Sequence, residues 1–317
     1  MRSVLVTGAA GFIGGCVARG FARERGPETV HCLVRTQEQA KPLLDQGYQV
    51  TVGDITDSEL PQHLVKDCQT VVHAAAFMKP GPREDIFAVN VEATDRLAQA
   101  AAQAKVDRFI FISSIEAYGE FGHRILTEDQ PYLPTDHAYA ESKIRGEQAI
   151  TERFQQTGSD AYVHLRPGMV YGPHSQYWTH GYLQRARSGR IRVLGRGGRI
   201  YPVHEDDLVA AVTSAAERPL AAGQTFNLVN DEHLTWWDWA LAHHALTGTN
   251  RPRCQSVWLT RLLDKINRSA GNPIDEALRS ELRTSAIPHD KARHLLGWEP
   301  RPFQDGIRTC KAFAMAP

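Results

Sequence analysis

Tyr139-Ala140-Glu141-Ser142-Lys143 places a phenol and an ammonium four positions apart. On a helix, residues i and i+4 share a face, so the two groups can converge. An unperturbed phenol titrates near pH ~10, and a neighbouring cation favours its phenolate. Such a pair can give and take a proton near neutral pH. The same spacing is common on ordinary helix surfaces, so its meaning depends on its surroundings. Ser113-Ser114 end the apolar run Phe109-Ile110-Phe111-Ile112. A hydroxyl there can bond a substrate carbonyl oxygen, or simply cap a turn.

A second chemical signal lies at the start. Val4-Leu5-Val6-Thr7 runs into glycines at 8, 11 and 14, and a helical pattern follows. Gly8 permits a tight turn, Gly11 lets backbone approach a pyrophosphate, and Gly14 lets helix and strand pack closely. The free N–H groups of the helix start then face the phosphates. A glycine triplet alone is weak evidence, but strand-before and helix-after is the context that dinucleotide binding requires. The next strand, His31-Cys32-Leu33-Val34-Arg35-Thr36, has no acid from His31 through Gln37. A carboxylate there would hold the ribose 2′-OH of NAD, whereas an Arg accommodates the 2′-phosphate of NADP. Arg35 therefore favours NADP(H), with Thr36 able to add a hydroxyl bond and NAD(H) as the alternative.

These groups need a scaffold that ends several strands on one edge. Apolar runs at 3–7, 29–34, 70–76, 108–113 and 161–166 read as strands. Segments 13–25, 37–46, 87–104 and 139–157 read as helices between them. Strands alternating with helices indicate a parallel sheet covered on both faces, which binds ligands at its carboxyl edge. After Arg166-Pro167-Gly168 the rhythm changes. Segment 181–199 opens on Gly181 and holds glycines at 189, 195, 197 and 198 and six arginines, with no acid between. One more strand is expected at 224–229, a Trp-rich helix at 235–246, and a helical C-terminal part. The fold class is thus α/β, a Rossmann-type doubly wound sheet with a smaller, mostly helical substrate lobe. The sheet domain is expected over 1–170 plus about 202–231, and the lobe over about 171–201 plus 232–317.

The chain has 317 residues, with 36 Lys plus Arg against 36 Asp plus Glu. That balance gives no support to a bulk electrostatic binder of nucleic acid or membrane surfaces. Mean hydropathy is −0.38, and no apolar run approaches the ~18–20 residues of a membrane span. Met1-Arg2-Ser3 leads straight into the first strand without the pattern of a secretory leader. The five cysteines are scattered and form no CxxC pair, which suits a reducing cytoplasm.

Taken in order, these elements resemble the extended short-chain dehydrogenase/reductase family, the NAD-dependent epimerase/dehydratase superfamily. The matching runs are Thr7 to Gly14, Gly53-Asp54, His73-Ala74-Ala75-Ala76, Asn90-Val91, Ser113-Ser114 with Tyr118-Gly119, Tyr139 to Lys143, Arg166-Pro167-Gly168-Met169-Val170-Tyr171-Gly172-Pro173 and Val203 to Asp207. The resemblance implies Tyr139 as acid/base, Lys143 on the ribose hydroxyls and lowering the tyrosine pKa, and Ser114 polarising the substrate oxygen. It implies Asp54 and Ile55 at the adenine, Ala74, Ala75 and Ala76 along the cofactor, and Pro167-Gly168 near the nicotinamide. Gly8, Ala10, Gly11, Phe12, Ile13, Asn90, Ser113 and Val170 complete the implied cofactor contacts, and a homodimer is implied as well.

Departures from the family narrow the activity. Sugar-nucleotide 4,6-dehydratases carry Thr-Asp-Glu where this chain has Ser114-Ile115-Glu116, so the dehydration acid is missing at Ile115. Many epimerases place an Arg six residues before the pair aligned with Asp206-Asp207; here that position is Ile200, with Arg199 adjacent. The runs around Arg166 and His204 are similar to the 3β-hydroxysteroid-dehydrogenase-like and dihydroflavonol-reductase-like branch. A carbonyl/alcohol oxidoreductase is expected, with a sugar-nucleotide epimerase as the alternative. A catalytically idle cofactor-binding sensor would need none of the Ser-Tyr-Lys set. No metal is expected: His204-Glu205-Asp206-Asp207 fits a helix start better than a ligand set. His243-His244 and the tryptophans at 236, 237 and 239 are expected to pack the lobe. Gln176-Tyr177-Trp178 and His180 fit either an aromatic pocket or packing. The six arginines fit a solvated face, or else an anionic substrate.

Overall fold

The computed structural model describes residues 3–78, 81–119, 124–230, 232–260 and 281–314. Part of the expected helical C-terminal stretch, 261–280, lies outside them. The strands are β1 (Val4–Thr7), β2 (Val30–Val34), β3 (Gln49–Val52), β4 (Thr70–His73), β5 (Arg108–Ile112), β6 (Tyr162–Pro167), β7 (Met169–Tyr171), β8 (Arg192–Leu194), β9 (Pro202–His204), β10 (Gln224–Leu228) and β11 (Arg253–Gln255). Seven of them form one parallel sheet in the order β10-β6-β5-β4-β1-β2-β3. The pairs β11-β8 and β7-β9 stand apart.

Helices α1 (Phe12–Arg25), α2 (Gln37–Leu44), α3 (Leu60–Val65), α4 (Arg83–Phe87), α5 (Ala93–Gln103) and α6 (Ala138–Gln156) alternate with the first six strands, and α7 (Tyr182–Arg187) follows β7. Side chains along a strand alternate between faces. Val4 and Val6 therefore pack with Val17 and Phe21 of α1 on one side, together with Leu208 and Val212 of α8 (Glu205–Glu217). Leu5, Val71 and Phe109 pack with Leu97 of α5 and Phe154 of α6 on the other. Central β1, β4 and β5 are buried along their whole length, as strands covered on both faces must be.

Besides the short helix α3 and the small strands β7, β8, β9 and β11, two departures from the sequence expectation shape the sheet edge and α5. Gln49–Val52 forms the edge strand β3, pairing β2 through Val34 and Val52. Its residues are exposed or half-buried, so it lacks the continuous apolar signal of the central strands. The single helix expected at 87–104 is instead the end of α4, a widened π turn at Ala88–Glu92, and then α5. Such turns bulge the backbone outward and re-aim side chains.

The later chain gathers around another apolar cluster. Tyr171, Ile191, Trp236, Trp239, Phe303 and Ile307 meet there, with Trp237 partly buried against them. Helix α9 (Trp236–Thr247) begins with a reciprocal cap between Thr235 and Asp238, and ends at Gly248 in the left-handed region. Among the described residues no helix is long and apolar enough to cross a membrane.

The turn from β1 into α1 is closely packed. Gly8 has φ +69°, and a Cβ there would sit 2.8 Å from the backbone nitrogen of Ala75. A Cβ on Gly14 would overlap the Gly8 carbonyl. Because the obstacle is backbone, it cannot swing aside. Gly14→Ala is therefore expected to cost about 1–3 kcal/mol of stability. Thermal unfolding checks this, and a melting temperature equal to wild type would contradict it.

Among the described residues six histidines are buried, His73, His164, His204, His243, His244 and His289, and four of them carry the largest shifts. Burial pushes His73 down to about 3, with the Lys143 charge adding to it. Burial likewise brings His164, His204 and His243 down to about 4. An unfolded histidine titrates near 6.5. Between these values the unfolded chain binds more protons, so stability is full above about pH 6.5 and is lost as pH falls. Each such histidine contributes a slope of up to about 1.4 kcal/mol per pH unit. Urea unfolding should show a markedly lower midpoint at pH 5 than at pH 7; equal midpoints would show that these rings accept protons within the fold.

Candidate active site

The carboxyl ends of β1, β2, β4, β5 and β6 converge on one edge, and each brings residues that the sequence singled out. At β1, the Gly11 N–H bonds the Gly8 carbonyl at 2.9 Å, closing the turn. Helix α1 then opens with Gly11 as its cap, no side-chain capping bond and no acid in its first turn. Its N–H groups are thus left for an anion, which the helix dipole also favours. Ala10 and Gly11 are exposed, and Phe12 and Ile13 half-buried. This cradle, which a Cβ would fill, fits a dinucleotide pyrophosphate.

The chain leaving β4 crosses directly over Gly8, which places Ala74, Ala75 and Ala76 beside the cradle. A buried relay fixes that crossing. His73 Nδ1 pairs with Thr7 Oγ1 at 2.8 Å, His73 Nε2 pairs with Thr94 Oγ1 at 2.8 Å, and the Ala75 N–H donates to Thr7 Oγ1 at 3.2 Å. Sequence reasoning missed Thr7 and Thr94; their only signal was a threonine at a strand end and another in an alanine-rich helix.

Arg35 immediately follows β2 and is exposed; its backbone N–H donates to the Gln39 side chain. Next to it, the Gly53 N–H bonds the Val34 carbonyl, which brings Asp54 to the same rim. Asp54 accepts from the backbone N–H and the hydroxyl of Thr56. Those bonds, with a lesser pull from Arg35, hold its carboxyl below the usual range despite partial burial. Ile55 is buried beneath.

Asn90, expected among the cofactor contacts, is turned into the protein. Its amide accepts from the Phe77 N–H at 2.7 Å and donates to the Phe77 carbonyl and to Ser142 Oγ. It thus ties the chain after β4 to α6 from within the π turn. Ser113 is buried as well, and its hydroxyl donates to Glu147 Oε1 at 2.5 Å. Val170 lies in the core, and Pro167 ends β6 with Gly168 pressed against the backbone of Tyr201.

Ser114, Tyr139 and Lys143 do come together. Ser114 caps a short 3₁₀ turn, accepting from the Glu116 N–H at 3.1 Å. Its hydroxyl stands near enough to the Tyr139 phenol to favour the ionised form. Tyr139 lies in the first turn of α6, which the His137 ring caps. One turn on, Lys143 is buried. Its Nζ donates to the Ile112 carbonyl at 2.8 Å, and stands 4.7 Å from the Phe111 ring centre and 5.7 Å from that of Tyr139. The electrostatics correct one expectation. Burial and then the Glu116 charge push the phenol above its ordinary range, and the Ser114 hydroxyl opposes them only in part. Tyr139 is therefore a neutral phenol, a proton donor, with Lys143 held on a carbonyl rather than on the hydroxyl. Burial brings Lys143 down to about 8, and Glu147 opposes this.

Other singled-out residues have structural partners. Glu116 is held by Arg283 in a two-point ion pair, at 2.6 and 2.9 Å, while Ile115 is buried. Ile200 is in the lobe core, and Arg199 Nη1 lies 3.4 Å from the Ser285 carbonyl. Arg196 covers the Trp237 ring and Arg185 that of Tyr182. Trp178 stacks on Tyr182, Tyr177 is exposed, and His180 pairs with the Pro173 carbonyl. His243 bonds the Trp239 carbonyl, and His244 bonds Thr249.

His204 caps α8 through the Asp206 N–H, and Asp207 holds Arg301. A different trio gathers ligand-type atoms within 4.8 Å of one another: Cys16, His174 and Glu205. There Glu205 is engaged by the His174 ring and backbone N–H, and the Arg19 guanidinium lies 3.2 Å from the Cys16 sulfur.

Comparison with known proteins gives the family and the fold. The family model described as "NAD dependent epimerase/dehydratase family" matches residues 4–228. The chain is 29% identical over 334 residues to a UDP-glucose 4-epimerase of Vibrio cholerae, covering 99% of this chain and 96% of that one. It is 26% identical over 345 residues to a 2-alkyl-3-oxoalkanoate reductase of Stenotrophomonas maltophilia, covering 99% of both. A short-chain dehydrogenase/reductase superfamily protein of Agrobacterium tumefaciens, solved with bound NAD, superposes with a TM-score of 0.75 at 25% identity, over 99% of this chain and 97% of that one. With its Rossmann-type sheet, glycine cradle and Ser114–Tyr139–Lys143 set, the chain belongs to the NAD-dependent epimerase/dehydratase family and has the extended short-chain dehydrogenase/reductase fold.

Proposed function

We propose that the chain is an NADP(H)-dependent oxidoreductase that interconverts a ketone and a secondary alcohol on a small organic substrate. The observation that carries this is the convergence of Ser114, Tyr139 and buried Lys143 at the end of β5, with Lys143 Nζ 5.7 Å from the Tyr139 ring centre and bonded to the Ile112 carbonyl. The reductase among the relatives supports it. The epimerase relative keeps a second reading in view, in which bound NAD is recycled without net redox. Against that reading, Ile200 is buried where many epimerases place an arginine, and Arg199 faces the Ser285 carbonyl.

The nicotinamide cofactor supplies or accepts a hydride when bound. The chain does the rest. The turn from Gly8 to Ile13 would hold the pyrophosphate on the α1 N-terminus. Arg35 would take the 2′-phosphate, Asp54 and Ile55 would hold the adenine, and Pro167-Gly168 would border the nicotinamide. Ser114 donates to the substrate oxygen and orients it. Tyr139, a neutral phenol, gives its proton to that oxygen in reduction and recovers one in oxidation. The buried Lys143 charge lowers the cost of the phenolate formed in between. With Ile115 apolar and buried, no acid stands at that position to drive dehydration.

Tyr139→Phe removes one hydroxyl and should keep fold and cofactor binding while losing roughly 10²–10⁴-fold in turnover. Absorbance at 340 nm measures it, and near-wild-type turnover would end the assignment. Ser114→Ala should also depress turnover, through lost orientation of the oxygen.

Arg35 on a 2′-phosphate is a charge-assisted contact worth about 1.5–3 kcal/mol. That corresponds to roughly a ten- to hundredfold preference for NADPH over NADH. Arg35→Asp should weaken NADPH sharply and leave NADH similar or better. Dissociation constants of both cofactors for both proteins decide it; tighter binding of NADH by wild type would overturn the cofactor assignment.

A further inference from the structure

Glu147 is a fully buried carboxylate that takes no part in the proton transfer above. It lies one turn beyond Lys143 on α6, so Tyr139, Lys143 and Glu147 fall at i, i+4 and i+8 of one helix face. It accepts four hydrogen bonds. Ser113 Oγ lies at 2.5 Å, Arg166 Nε at 3.0 Å, Arg166 Nη2 at 2.6 Å and the Tyr132 hydroxyl at 2.9 Å. A carboxylate offers about four lone-pair sites, so its capacity is filled.

The donors arrive from three separate stretches of chain. Ser113 immediately precedes Ser114. Arg166 immediately precedes Pro167-Gly168. Tyr132 lies in the stretch leading to α6. The Arg166 guanidinium also covers the ring of Tyr118, which ends the turn that Ser114 begins. Burial pushes the Glu147 carboxyl up, but the Arg166 charge and hydrogen bonds outweigh it and bring it down to about 2. The group is therefore a carboxylate at every working pH.

We propose that Glu147 is the positioning residue of this site: from one helical turn beyond Lys143 it fixes Ser114 and the Pro167-Gly168 turn against Tyr139 by holding Ser113, Arg166 and Tyr132 together. A buried ion pair need not add stability, because apolar replacements of similar volume often serve as well. Its use here is geometric and electrostatic. The groups facing Lys143 are Tyr139 and Glu147 from its own helix, neutral His73 from β4 and the Phe111 ring from β5. His164 and Arg166 of β6 lie on the Glu147 side. Burial drives Lys143 toward the neutral amine, and Glu147 is the charge that opposes it.

The effect on turnover rests on the function proposed above; the effect on Lys143 does not. The test is therefore a titration of the protein with lysine labelled with ¹³C at the ε carbon, followed by NMR. Lys143→Met identifies the resonance. In wild type Lys143 should titrate at about 8, below the ordinary lysines. In Glu147→Gln its midpoint should fall by about one pH unit or more, and the alkaline limb of kcat/KM should move with it. Turnover should drop roughly tenfold or more through lost orientation, while the cofactor dissociation constant changes less than about threefold.

An unmoved Lys143 midpoint, or lower turnover with an unmoved alkaline limb, would overturn the proposal. If Glu147→Gln does not fold, Glu147→Gln with Arg166→Met removes the pair without orphaning a buried cation and is read the same way. Failure of both to fold would assign the pair to stability and overturn the proposal. A shifted Lys143 in a protein that reduces no carbonyl would leave this inference standing and remove the functional reading.

Discussion

The backbone of Gly8 lies against that of Ala75 and of Gly14, with no room for a side chain at either glycine. This close approach sets the carboxyl edge of the sheet. It brings the exit of β4 over the exit of β1 and seats α1 directly beyond them. The first-turn N–H groups of α1 are thereby presented at the edge where Ser114 and Tyr139 also stand. Around this crossing the fold uses buried polar groups as fasteners. His73 bridges Thr7 and Thr94, Asn90 bridges Phe77 and Ser142, and Glu147 gathers Ser113, Tyr132 and Arg166. Each is satisfied by directional bonds, and a satisfied buried polar network specifies one geometry where apolar packing would tolerate several.

Much of this was legible in the residues. The central strands are short β-branched and aromatic runs buried on both faces, and such runs announce themselves. The glycine spacing needs its strand and helix, and both are there. Strand β3 escaped because an edge strand with a wet face carries only four weakly alternating residues. The break at Ala88–Glu92 escaped because apolar residues at helical spacing run through it; in the fold Asn90 at its centre bonds Phe77 and Ser142.

The site was legible in its membership and less so in its electrostatics. Four-residue spacing correctly puts Tyr139 and Lys143 on one face. It cannot say that Lys143 bonds the Ile112 carbonyl, or that burial and the Glu116 charge outweigh the Ser114 hydroxyl at the phenol. Glu147 shares the same spacing, yet a glutamate on a helix is usually solvated. Only the fold shows it at the meeting point of three stretches of chain. Likewise Arg35 and Asp54 are nineteen positions apart in sequence and become neighbours only through the pairing of β2 with β3.

The central claim is net hydride transfer to a carbonyl with the proton drawn from Tyr139. The most direct measurement is a single turnover with stoichiometric enzyme and NADPH carrying deuterium at C4 of the nicotinamide, across a panel of ketones and sugar nucleotides. The account expects one equivalent of NADPH oxidised and the deuterium recovered on the carbinol carbon of a released alcohol. Inversion of a sugar-nucleotide stereocentre with no NADPH consumed would contradict it and establish the epimerase instead.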